Sequence, residues 1–135
     1  MSNIRPISEK KYGISKHKFW QVYHYCMQYN EWKDELKFKT NTMKSIGVTD
    51  MPMGKSSGDA TQALAMRREE LSRKCEIIEM AAVEADKELA QYIIKAVTNE
   101  GVTYSYLDQF MGIPCGKKMY YDRRRKFYWI LSKKI

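Results

Sequence analysis

The sequence is short of the residues that break helices and of those that staple small folds. Only three prolines occur in 135 residues, and neither proline nor glycine falls between Ala60 and Glu100. That scarcity disfavours a sandwich or barrel, with its many turns, and favours helices. Three cysteines, Cys26, Cys75 and Cys115, are odd in number and widely spaced, with no Cys-x-x-Cys pair. A disulfide framework is therefore excluded and a reducing compartment expected. The only histidines, His17 and His24, stand seven residues apart without a Cys or Asp ligand nearby, so no metal site is expected. No apolar run approaches the ~18 residues of a membrane span, and the N-terminal stretch has no signal-peptide core. The expected location is the cytoplasm, with no membrane partner. P-loop, Rossmann and triad patterns are missing as well. GKSSG at 54–58 lacks the preceding strand and first glycine of a phosphate loop. Cys115, near a helix start and two lysines, is placed for a lowered pKa, but no histidine in its segment could serve it as base. Neither enzymatic activity nor a cofactor is expected.

Aromatic residues and positive charge are abundant. The chain holds ten tyrosines and nine methionines, and its net charge is +8. Residues 1–58 hold ten Lys and Arg against five acidic residues, 59–100 six against nine, and 101–135 eight against two. An acidic middle between basic ends points to a polyanionic partner met at those ends.

The pattern predicts an all-α protein. Residues 1–39 form an aromatic helical element behind a loose arm of about fourteen residues. Its helix starts at Ser15, whose hydroxyl caps the first turn, and carries Phe19, Trp20, Tyr23, Cys26 and Met27 at helical spacing. Asn30 and Glu31 open a second short helix unless the two run together. Residues 40–58, rich in Gly, Ser, Asp and Pro, read as a linker or long loop. Residues 59–100 read as one long central helix opened by a capping box at Asp59 and Gln62, with Asp86 the place where it would break. Leu64, Leu71, Ile78, Ala85 and Tyr92 repeat every seven residues, as do Cys75, Ala82, Leu89 and Ala96. This stripe must lie on residues 15–38 or on a second copy, giving a homodimer.

Residues 101–135 carry the functional signal. Gly101 stops the preceding helix, Thr103 or Ser105 caps YSYLDQFM, and Gly112 ends it. Tyr106 or Leu107, with Phe110 and Met111, forms its apolar set. Ile113 turns inward, and Pro114 opens the first turn of a helix running through KKMYYDRRRKFYWILSK. Helix, glycine turn, amphipathic helix is the layout of a helix-turn-helix. Tyr120, Phe127 and Leu131, with Met119 and Ile130, make the inward side. Lys117, Tyr121, Arg124 and Tyr128 make the outward row, with Lys118 and Arg125 just beyond.

TYSYLDQFMGIPCGKKMYYDRRRKF resembles the DNA-binding C-terminal region of bacterial sigma factors and the phage transcriptional regulators of the RinA and ArpU type. The likeness covers about 30 residues. It departs at Pro114, Cys115 and Gly116, which replace the usual Ser or Thr opening the recognition helix. The resemblance implies a phage or prophage transcriptional regulator that binds double-stranded DNA. The expected contacts are Lys117, Lys118, Tyr121, Arg124 and Arg125, with Arg123 and Lys126 as backbone clamps. Trp20, Tyr25, Tyr29 and Trp32 exceed what one packed face can hide, so they form the expected surface for RNA polymerase or another host protein. The alternatives are a small terminase-like DNA-packaging protein and a phage inhibitor of a host nucleoprotein such as a CRISPR nuclease.

Overall fold

The computed structural model describes residues 12–39 and 54–135, and every regular element among them is helical. In chain order these are α1 (Lys16–Met27), α2 (Tyr29–Asp34), a π-helical turn (Glu35–Lys39), α3 (Gly54–Ala85), α4 (Ala90–Val97), α5 (Tyr104–Met111) and α6 (Lys117–Ser132). The expected arm (1–14) and loop (40–58) lie largely outside the described residues. Within them, Ile14 is buried and Tyr12 packs on Trp129, with ring centroids 5.8 Å apart.

The chain divides into two compact units, Met1–Gln28 with Ile77–Ile135, and Tyr29–Glu76. In the first unit α1 packs against α4 and α6, and α4 against α6. Ser15 caps α1, its hydroxyl accepting from the Lys18 N–H at 3.2 Å. Phe19, Val22, Tyr23 and Cys26 form its buried face. Two long-range contacts hold the end of the chain. The Lys18 ammonium donates to the Ile135 carbonyl at 2.9 Å, and Lys134 pairs with Glu84 at 3.1 Å. In the second unit Arg67 pairs with Glu35 at 2.8 Å and with Glu70 at 3.2 Å.

The central helix differs from the expectation at both ends. It begins at Gly54, before the predicted box at Asp59, so Gly54–Gly58 lie in helix rather than loop. Pro52 is the last proline before Pro114, and an isolated glycine costs a helix only about 1 kcal/mol, so nothing there forbids it. At the other end the helix stops at Ala85 instead of running to residue 100. Asp86 ends it. Its Oδ1 accepts from the backbone N–H groups of Glu88 at 3.0 Å and Leu89 at 3.1 Å, offering the chain an alternative to the helical ladder. α4 then resumes at Ala90. The heptad stripe survives the break. Leu71, Cys75, Ile78, Ala82, Ala85, Leu89 and Ala96 are all buried within the single chain, while Leu64 at its start and Tyr92, one step before Ala96, are half-buried.

Candidate nucleic-acid interface

The segment from Thr103 to Ser132 is built by local rules that the sequence states plainly. Thr103 caps α5, its hydroxyl accepting from the Tyr106 N–H at 3.2 Å. Gly112 ends α5 in the left-handed region, φ 65° and ψ 44°, where a residue without Cβ is favoured. Ile113 follows it inward, and its N–H donates to the Leu107 carbonyl at 3.1 Å. Pro114 does not open α6. Pro114 and Cys115 lie in a bend, the Cys115 carbonyl accepts from the Tyr104 hydroxyl at 2.6 Å, and Gly116 is extended (φ −80°, ψ 173°). With the bend held in that way, the helix starts only at Lys117.

α6 has the two sides expected of it, but in a different rotational phase. Tyr120, Phe127 and Leu131 are fully buried. Tyr128, assigned to the outward row, is only 5% exposed, its ring 5.2 Å from Phe19 and 5.3 Å from Phe127. Met119, assigned inward, is exposed. The phase is set by Phe19 of α1, which covers the Tyr128 edge of the helix. At 3.6 residues per turn the outward stripe becomes Lys118, Asp122, Arg125 and Trp129, at i, i+4, i+7 and i+11. Trp129 is half-buried, with the Lys133 ammonium 4.3 Å above its ring.

The predicted contact residues divide into three groups. Lys117 and Lys118 are exposed, Arg125 and Lys126 half-exposed, and none of the four makes an ion pair among the described residues. Tyr121 and Arg124 are half-buried. The Arg124 guanidinium lies 4.9 Å from the Tyr121 ring centre and 5.7 Å from that of Tyr120, a cation–π arrangement. Arg123, expected as a backbone clamp, is ion-paired within the chain. Its Nε donates to Asp86 Oδ2 at 3.0 Å and its Nη1 to Asp122 Oδ2 at 2.6 Å. One carboxylate, Asp86, thus both breaks the central helix and holds α6. The sequence clue to it was an aspartate inside a helical run, a poor helix former and a good local acceptor.

Around the head of α6 a shallow cleft of about 670 Å³ is lined by Gly116, Lys117, Lys118, Met119 and Arg125 and by the paired Asp122 and Arg123. Cys115, just before it, departs from expectation. Burial raises its thiol pKa, the Asp86 carboxylate adds to the rise, and Arg123 offsets only part of it. The two lysines do not reverse that balance.

The expected aromatic partner surface is also redistributed. Trp20 is half-buried against Phe19 (5.1 Å) and Tyr23 (5.3 Å), and Tyr25 is half-buried. In the second unit Tyr29 is half-buried below the Lys33 ammonium, while Trp32 is core at 6% exposure with the Lys74 ammonium 5.2 Å from its ring. The aromatics that do face solvent are Phe38 in the π-helical turn and, on α5, Tyr106 and Phe110. Phe110, expected in the apolar set, is 73% exposed and pairs with Tyr106 at 5.1 Å; of the alternatives Tyr106 and Leu107, Leu107 is the buried one. On a two-turn helix Leu107 alone occupies the buried position.

Among the described residues no helix is long and apolar enough to cross a membrane, and no cluster of three or more His, Cys, Asp or Glu could hold a metal. No family model, curated protein or solved structure matches the chain.

Proposed function

We propose that this protein is a DNA-binding regulator of phage or prophage transcription, and that α5, the GIPCG turn and α6 act on double-stranded DNA as a helix-turn-helix. One observation carries the reading: α6 buries Tyr120, Phe127 and Leu131 completely while Lys117, Lys118, Arg125 and Lys126 stay open without an ion pair among the described residues. Cations left unneutralised on a helix anchored by its opposite side suit a polyanion. The turn of five residues is longer than the usual connection of about three or four. RNA polymerase or another host protein remains the proposed second partner of a regulator. A homodimer would double the phosphate contacts, although the buried heptad stripe does not need a second copy to cover it.

The test is a gel shift on duplexes from the phage's own intergenic DNA. Four outward cations per protomer give an expected slope of log affinity against log salt of about −3 to −4. Arg125→Ala with Lys126→Ala should bind at least about tenfold more weakly at low salt while keeping its circular dichroism spectrum. A slope near zero, or unchanged binding by this variant, would overturn the proposal.

A further inference from the structure

We infer that the cleft at the head of α6 seats backbone phosphate rather than reading bases, so that its grip does not depend on sequence. This rests on the DNA-binding reading above and assigns one part of that interface. Lys117, Lys118 and Arg125 line the cleft, and the one carboxylate on its wall, Asp122, is bonded to Arg123. The cleft therefore offers donors and net positive charge. Its ligand should be rich in acceptors on every side, as a phosphodiester is.

Base reading asks for more than charge. A guanidinium that recognises guanine must hold its planar fork in one orientation. The two guanidiniums held in place on α6 are both engaged, Arg123 by Asp86 and Asp122, and Arg124 by the Tyr120 and Tyr121 rings. Besides the engaged Arg123, the cations lining the cleft are two lysines, which act as flexible point charges, and Arg125, which no ion pair fixes among the described residues. Lys118 and Arg125 lie about 10 Å apart along the helix axis, far enough to meet separate phosphates.

Gly116 supplies a decisive variant. Its φ of −80° and ψ of 173° suit any residue, and a Cβ built there meets no atom within 4 Å. It is also the N-cap of α6, where aspartate is among the preferred residues. Gly116→Asp should therefore melt at or above the wild-type temperature while placing a carboxylate at the mouth of the cleft.

The experiment measures fluorescence anisotropy on two unrelated duplexes across a salt series, for wild type, Gly116→Asp, and Lys118→Ala with Arg125→Ala. The double variant should reduce the magnitude of the salt slope by about 2 on both duplexes and leave the ratio of the two affinities unchanged. Gly116→Asp should lose about tenfold in affinity on both at low salt. A changed affinity ratio with an intact slope would mean that bases are read, and wild-type behaviour of both variants would mean that phosphate binds elsewhere. Either result overturns the inference and leaves duplex binding standing. If the wild type binds single-stranded RNA but no duplex, and the variants shift the RNA slope in the same way, the phosphate seat stands and the duplex reading falls. Binding to neither nucleic acid overturns both.

Discussion

Tyr120 on α6 is completely buried, its ring 5.8 Å from that of Tyr104 on α5 and 4.9 Å from that of Tyr121. Its ring is well placed, but its hydroxyl, although the Arg124 side chain lies within its reach, makes no hydrogen bond of ordinary geometry among the described residues. A buried polar group without a partner costs about 1–3 kcal/mol. Tyr120→Phe removes only that oxygen and should stabilise the protein by about 1 kcal/mol in urea unfolding. A loss of similar size would mean that the hydroxyl is bonded after all. The neighbouring arginines show the opposite situation, in which polar groups gain by being held. Arg123 has two carboxylates and Arg124 two aromatic faces. A run of like charge in the sequence is thus a set of individuals in the fold, some structural and some available.

At the scale of the element, the left-handed glycine that ends α5 is the clearest constraint. Gly112→Ala meets no steric obstacle within 4 Å, so its cost is the backbone conformation itself, about 1–2 kcal/mol. Chemical denaturation should show that loss, and no loss would mean that the turn can relax to another shape. This position, the caps at Ser15 and Thr103 and the buried heptad stripe were legible in the sequence because each depends on neighbours a few residues away. The phase of α6 was not. Phe127, Tyr128 and Trp129 are consecutive aromatics, and any two of them could face inward on local grounds. The choice falls to Phe19, more than a hundred residues earlier. The start of α6 and the outward turn of Phe110 were hidden for the same reason, since both depend on what α5 and the bend pack against. Lys117, Lys118, Arg125 and Lys126 are open cations on α6, and the outward row is rotated from the one assigned.

Across the unit built from α1, α4, α5 and α6, buried acids of weak strength set a limit on pH. Burial pushes the Cys26 thiol and the Tyr128, Tyr120 and Tyr23 phenols above their ordinary values. The folded state thus holds protons that the unfolded chain releases more readily. Their contribution to stability is complete below the ordinary thiol and phenol values, about 8.5 and 10, and declines as pH rises beyond them. Thermal melts followed by circular dichroism should be flat in midpoint around pH 7–8 and fall steadily from about pH 9 to 11. A midpoint unchanged at pH 11 would contradict the burial of these groups.

Asp86 imposes a further condition, one of chain length. Its two oxygens face different clients, the amides that restart the helix at Leu89 and the guanidinium of α6. Adding or deleting a single residue in the junction between Ala85 and Ala90 would swing α4 about the helix axis by about 100°, so that one client or the other would lose its partner. The stretch 86–89 therefore behaves as a fixed-length spacer, tolerant of side-chain exchange at Lys87 but intolerant of any change in residue count.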